Sequence, residues 1–435
     1  MEESRQKKTE VEKATEVKTF PVSLTVREIN ENFSLSANTA IQGSKEQILN
    51  QAIIFHSQGN ISEATKYYKY CIQKGFNDQR CFSNYGVILK DNGKSKEAEI
   101  MLRKAIELNP NYSTGHCNLG IVLYNLSKLK EAQLSLRKAI ELNPDLANAH
   151  SNLALVMIDL GKLKEAELSL RKAIELKPDF DEAAWNLYGL SNNIEEAEER
   201  IKQCLKINEE NLKAKLTLSA LRLHQGDLLL FNRFLESPYK EHPYIRSFKW
   251  VSSLPNLPEL FFHRWNLFDS MIAKTKKDRP FYEFGVWRGV SFKYLINTFK
   301  KGYGFDTFEG LPEDWHQEKK GNYTADGIIP EIDGGTFIKG NFKDTLPNFF
   351  AESRPMASII NFDADLYSST LCALNYSKPV IDKDTILIFD EFIIHNHWEQ
   401  DEYKALNEFC STNNFTYEVI AISYMTKQVA VRILN

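Results

Sequence analysis

The six cysteines, Cys71, Cys81, Cys117, Cys204, Cys372 and Cys410, include no CxxC pair. Their spacing matches neither a disulfide framework nor a zinc site, and it fits the reduced thiols of a cytoplasmic protein. No apolar run is long enough to cross a bilayer. Positive charge is not in excess: 54 Lys and Arg face 58 Asp and Glu, for a net charge of −4. A nucleic-acid backbone is therefore not an expected partner. The N-terminal residues 1–8 are charged and lack an apolar stretch, so no secretory leader is expected there. The GxGxxG of dinucleotide enzymes is missing as well, which disfavours a dinucleotide-dependent oxidoreductase. What remains is 435 residues, 43% hydrophobic and 26% charged. That is enough for two or three domains with real cores.

The most informative stretch is Phe362-Asp363-Ala364-Asp365-Leu366-Tyr367. Two carboxylates stand at the end of an apolar run over 357–362, which reads as a buried strand. Parallel α/β sheets place ligands just beyond the carboxyl ends of their strands. The next such run, 385–389, ends in Asp390-Glu391. Four acids at two strand ends repel one another unless a cation or shared protons intervene. Oxygen ligands suit Mg²⁺, Ca²⁺ or Mn²⁺. The alternative is that these acids cap the following helices or accept loop N–H groups.

Residues 1–44 are polar, of mixed charge and expected to be flexible, with a short alternating run at 20–24 that can form a strand. A repeat begins at Lys45. Glu-Ala recurs at Glu63-Ala64, Glu97-Ala98, Glu131-Ala132 and Glu165-Ala166, a constant step of 34. Pro110, Pro144 and Pro178 keep that step, as do Ala105, Ala139 and Ala173. Gly59, Gly93 and Gly161 fall between two amphipathic stretches, where a tight turn is needed, and Ser127 replaces glycine in one copy. A 34-residue period with small residues at the helix crossing resembles the tetratricopeptide repeat. No single unit buries its own face, so the units are expected to stack into an all-α superhelix over 45–236. The fifth copy is three residues short in its first helix, and a weaker sixth runs over 212–234. The column Asn50, Asn84, Asn118, Asn152 and Asn186 keeps the period too. In this repeat family that position lines the concave face, where an amide can bond a peptide backbone. The alternative is a solvated Asn.

Residues 237–280 are punctuated by Pro238, Pro243, Pro255 and Pro258. They read as a linker plus an amphipathic helix over 260–272 that covers a sheet edge or a site mouth. From 281 short apolar runs alternate with helical stretches, predicting a parallel sheet. Strands are expected over 281–284, 302–305, 336–339, 357–362, 385–389, 417–424 and 428–434. The last two are separated by only Met425-Thr426-Lys427, so they must be antiparallel.

The loop Glu283-Phe284-Gly285-Val286-Trp287-Arg288-Gly289-Val290-Ser291 follows the first of these strands. Gly285 lets backbone pass close to a ligand, and Glu283 can attract the amino group of an amino-acid moiety. Asp306 closes the next strand, where an acid commonly accepts from ribose hydroxyls. The fold class is thus multidomain α+α/β: a tetratricopeptide superhelix, then a Rossmann-like sheet with a terminal antiparallel hairpin over 281–435. It resembles the class I S-adenosylmethionine-dependent methyltransferases. Phe281-Tyr282-Glu283-Phe284-Gly285-Val286, Tyr303-Gly304-Phe305-Asp306-Thr307-Phe308-Glu309-Gly310-Leu311-Pro312, Asp344-Thr345-Leu346-Pro347, Asp363-Ala364-Asp365-Leu366-Tyr367 and Phe389-Asp390-Glu391-Phe392 resemble the macrocin O-methyltransferase family from about Pro258 onward. The resemblance implies O-methylation of sugar hydroxyls with S-adenosylmethionine and Mg²⁺ or another hard divalent cation. It implies cofactor contacts from Glu283, Gly285, Gly289, Ser291, Asp306 and Thr307. Asp363, Asp390 and Glu391 would ligate metal, and Asp365 would be the general base. Some relatives carry Asp-Asp where this chain has Asp390-Glu391. Residues 313–335, glycine-rich and long, read as a lid. His395 and His397 read as solvent-exposed or substrate-contacting. The competing reading is a repeat scaffold whose sheet domain is inactive.

Overall fold

The computed structural model describes residue 41 and residues 43–435. The expected strand over 20–24 lies outside the described residues. The chain divides into two compact units, one ending at Ala184 and the other running Trp185–Asn435.

The first unit is built of helix pairs: α1 Lys45–Ser57 with α2 Ile61–Gln73, α3 Gln79–Asp91 with α4 Ser95–Leu108, α5 Ser113–Asn125 with α6 Leu129–Leu142, and α7 Ala147–Asp159 with α8 Leu163–Leu176. The repeated small residues explain the close pairing. Ala98, Leu102 and Ala105 of α4 are fully buried, as are Ala132, Leu136 and Ala139 of α6. A Cβ on Gly120 of α5 would stand 2.5 Å from the Leu136 side chain, so glycine there opens the slot that the leucine fills. The turn glycines Gly59, Gly93 and Gly161 take positive φ, and Ser127 holds the same left-handed conformation at φ 53.

The Asn column does a different job from the one expected. Asn84, Asn118 and Asn152 are buried. Asn84 Nδ2 donates to the Tyr68 hydroxyl at 3.2 Å, Asn118 Nδ2 to Ser83 Oγ at 3.2 Å, and Asn152 Nδ2 to Cys117 Sγ at 3.7 Å. In the last two the partner lies 35 residues upstream, on the preceding first helix. These amides stitch repeat to repeat. Asn186 is also buried, in the second unit.

In the shortened copy, α9 Asp181–Tyr188 has 8 residues where α3, α5 and α7 have 13. The second unit then holds α10 Ile194–Ile207, α11 Leu212–His224, α12 Leu229–Leu235 and α13 Pro243–Ser252. These helices are part of the sheet unit. Leu216, Phe231, Ile245, Phe248 and Val251 share one buried cluster with Ile422, Tyr424 and Val429, and the Phe248 and Tyr424 rings meet at 4.9 Å. The expected repeat span of 45–236 therefore runs past the division at 184/185.

The sheet has eight strands: β1 Glu259–Phe261, β2 Phe281–Phe284, β3 Gly302–Asp306, β4 Gly335–Lys339, β5 Ile359–Phe362, β6 Ile386–Phe389, β7 Tyr417–Ser423 and β8 Val429–Ile433, in the order β1-β7-β8-β6-β5-β2-β3-β4. β8 is antiparallel to both β6 and β7, so the last strand is slotted in reverse as the short turn before it requires. Residues 259–261 add a parallel edge strand to β7, so Leu260 and Phe261, expected to open the helix over 260–272, are in a strand instead. The helix begins later, as α14 Arg264–Ala273, where the His263 side chain accepts from Trp265 N and caps it. The crossover helices are α15 Val290–Phe299, α16 Phe342–Phe349, α17 Tyr367–Ser377 and α18 Glu402–Asn413.

Register decides where the site lies. Phe305, Phe284, Phe362 and Phe389 pair across β3, β2, β5 and β6, and their rings stack at 4.8, 5.4 and 4.8 Å. The next residue on each strand is Asp306, Gly285, Asp363 or Asp390. One phenylalanine row thus sets one row of site residues at the mouth of the sheet.

Candidate active site

A cavity of about 570 Å³ opens at that mouth, within the roughly 300–1,000 Å³ usual for small-molecule sites. Gly285, Trp287, Asp306, Thr307, Asn341 and Phe342 line one end. Asp363, Asp365, Asp390, Glu391, Trp315 and Ser368 line the other.

At the first end the loop after β2 is tied down by Asp306. Its Oδ2 accepts from Val286 N at 2.8 Å and Trp287 N at 2.7 Å, and its Oδ1 from Phe308 N at 2.6 Å. A carboxylate offers about four acceptor positions, so this acid organises the loop and keeps little capacity for a ribose. Gly285 has φ +90, and a Cβ there would collide with the carbonyl of Asp363. Its lack of a side chain lets β2 and β5 end side by side.

Three residues expected at the cofactor are not among those lining the cavity. Glu283 is fully buried. Its Oε1 accepts from Ser291 Oγ and, at 2.9 Å, from Asn361 Nδ2. Its Oε2 is buried without a hydrogen-bond partner. Burial pushes its carboxyl up to about 8, against the lowering effect of Ser291 and Asn361. Gly289 is the left-handed N-cap of α15, with Pro330 and Ile332 packed where a Cβ would go.

At the second end Asp363, Asp365, Asp390 and Glu391 line the cavity together. Burial, with Asp390 and Asp365 nearby, holds the Asp363 carboxyl well above the usual carboxylate range. Burial, with Glu391 and Asp390, does the same to Asp365, which sits at φ 57 in the turn leading to α17. Burial raises Asp390 against the pull of the Arg264 guanidinium, 3.6 Å away, and Gln428 Nε2 donates to its Oδ1. Glu391 differs: its Oε2 is 2.7 Å and its Oε1 3.1 Å from the Lys427 ammonium. Among the described residues no group of three or more His, Cys, Asp or Glu is arranged as a metal site. Asp363, Asp365 and Asp390 still fit a hard cation, because their mutual repulsion is what such an ion relieves. Glu391, turned to Lys427, does not fit as placed.

Residues 332–429 match the model of the family described as Macrocin-O-methyltransferase (TylF). Tetratricopeptide-repeat models match 80–112, 101–134, 123–161 and 147–180. The chain is thus similar to tetratricopeptide-repeat proteins over 80–180 and to the macrocin-O-methyltransferase family over 332–429. A curated relative, the 8-demethyl-8-(2,3-dimethoxy-alpha-L-rhamnosyl)-tetracenomycin-C 4'-O-methyltransferase of Streptomyces olivaceus, is 30% identical over 141 residues, covering 26% of this chain and 52% of its own length. This chain thus spans about half the length of that relative. Among solved structures, a thermophilic TPR protein of Thermus thermophilus is 20% identical, with a TM-score of 0.36 over 41% of this chain and 100% of its own. PilF of Pseudomonas aeruginosa is 16% identical, with a TM-score of 0.41 over 47% of this chain and 96% of its own.

The structure also brings to the acids residues that sequence reasoning missed. Glu402 opens α18 fully buried, and its Oε2 accepts from Glu391 N at 3.2 Å. Burial, then Asp365 and Asp390, hold it well above the carboxylate range. Arg264, Lys427 and Gln428 bring cations and an amide to the acids from α14 and the terminal hairpin. No spacing in the sequence links those elements to Asp390. His395 is partly buried, and burial with the Lys427 charge lowers its imidazole to about 4. No helix among the described residues is long and apolar enough to cross a membrane.

Proposed function

We propose that this chain is an S-adenosylmethionine-dependent O-methyltransferase acting on a hydroxyl of a sugar or related polyhydroxylated acceptor, in the cytoplasm, with its repeats docking a protein or peptide partner. One observation carries the reading: Asp306, Gly285, Asp363 and Asp390 stand in one row at four adjacent strand ends and line one cavity with Asp365. The macrocin-O-methyltransferase match supports it, as does the sugar-directed relative.

S-adenosylmethionine supplies an electrophilic methyl group on its sulfonium. The chain's own task is alignment and proton removal. Gly285, Trp287, Asp306 and Thr307 would form the end that holds the cofactor. Asp365, in its ionised form, would take the proton from the acceptor hydroxyl. An alcohol is a weak acid, so Asp363 and Asp390 would hold Mg²⁺ or another hard divalent cation, which lowers the pKa of a bound hydroxyl. Glu391 would join them only on releasing Lys427. That ion pair favours the second reading, a tetratricopeptide scaffold with an inactive domain, because a lysine already neutralises one of the expected ligands.

The test is release of S-adenosylhomocysteine by the full chain with a panel of deoxysugar and rhamnose glycosides, with Mg²⁺ and with EDTA. The proposal expects turnover of at least one acceptor with Mg²⁺, and its loss in Asp365→Asn with cofactor binding retained. No turnover together with no cofactor binding leaves the scaffold.

A further inference from the structure

The segment between β3 and β4 is folded on itself. Leu311 N donates to Asn322 O at 2.9 Å, Gly321 N to Leu311 O at 2.9 Å, and Trp315 and Glu318 exchange backbone hydrogen bonds. Trp315, in the part of this segment read as a lid, is a wall of the cavity. Its indole Nε1 donates to Asp401 Oδ2 at 3.3 Å, and His316 Nε2 lies 2.8 Å from the same oxygen. The His316 ring stacks on His397 at 4.0 Å, and the His395 ring meets Trp315 edge-on at 6.1 Å. Asp401 is only 4% exposed. It precedes Glu402, which accepts from the backbone of Glu391. The His395 and His397 pair thus packs against the lid segment, and one carboxylate gathers that segment beside the acids.

We propose that Asp401 is a positioning residue: it fixes the Trp315 indole as the wall of the cavity's acid end and latches residues 313–335 over that end through Trp315 and His316. The inference rests on reading that end as the acceptor site. The physical basis is that a buried carboxylate holding two N–H groups is expensive to vacate, since removing it strands both donors. Two further side-chain bonds hold the segment, Ser368 Oγ to Glu313 at 2.6 Å and Trp287 Nε1 to Thr324 O at 3.3 Å. Neither replaces it.

The experiment is limited trypsin digestion of the full chain without ligand, following cleavage after Lys319 and Lys320 by mass spectrometry, since proteolysis tracks the open population when reclosing is fast. Asp401→Ala should raise the cleavage rate there about tenfold. Asp401→Asn, whose amide oxygen still accepts from an N–H, should recover most of the protection. Trp315→Phe and His316→Ala, both on the segment itself, should each accelerate cleavage by about threefold and keep the experiment informative if Asp401→Ala does not fold. Cleavage unchanged in folded Asp401→Ala, or in both segment variants, overturns the proposal. Calorimetry with S-adenosylhomocysteine separates the two claims. Binding equal in Trp315→Phe and the parent is expected, because the latch lies away from the cofactor end. Absence of binding in the parent sinks the methyltransferase reading and leaves the digestion result standing.

Discussion

Glu283 shows how far one residue's environment departs from its sequence signal. An acid before a glycine loop pointed to a cofactor's amino group, yet the side chain lies within the sheet, bonded to Ser291 and Asn361. The folded chain keeps its proton up to about pH 8, while the unfolded chain releases it near the ordinary 4.5. Its stabilising contribution is therefore fully present below about pH 4.5 and is lost as pH rises through about 8. Glu283→Gln should flatten that part of the stability profile and unfold at a higher midpoint than the parent at pH 9. Denaturant unfolding across pH 5–9 checks this, and parallel profiles for the two proteins would refute it. The carboxylates Asp363, Asp365 and Asp390 were legible because each follows an apolar run that can only be a buried strand. The partners of Asp390 and Glu391 were not, since Arg264, Lys427 and Gln428 reach them through tertiary packing alone.

Helix pairing in the array was legible down to the residue, because the alanine and leucine positions repeat every 34 residues and each must be small or apolar for its pair to close. The role of the Asn column was not. A periodic polar residue looks the same whether it faces a groove or a neighbouring helix. The structure gives Asn118 to Ser83 and Asn152 to Cys117, both buried. Asn118→Ala leaves the Ser83 hydroxyl without that donor and should cost about 1–3 kcal/mol. A thermal or urea transition of the array that moves by less than about 0.5 kcal/mol, the usual range for surface changes, would restore the groove reading. The edge strand β1 was hidden for a related reason: three residues before a capped helix carry no alternation to read.

At the scale of the molecule, the sequence pattern marked a repeat span to 236, while packing draws the line at 184/185. Helices α11–α13 keep a repeat-like helical pattern but bury apolar residues in the sheet's own cluster. A fragment beginning at Trp185 should unfold cooperatively and remain monodisperse. One beginning at 237 removes Leu216, Phe231 and their neighbours from that cluster and should aggregate. Size-exclusion chromatography with calorimetric melting decides it, and a well-behaved fragment from 237 would contradict the packing argument. The central claim is that the row of residues beyond the phenylalanine ladder forms a cofactor site. Its most direct test is a calorimetric titration of S-adenosylmethionine into the full chain and into Gly285→Ala, whose added Cβ meets the Asp363 carbonyl. The account predicts saturable one-to-one binding by the parent, with Kd on the order of micromolar, and none by the variant. No binding by the parent at millimolar cofactor would contradict it.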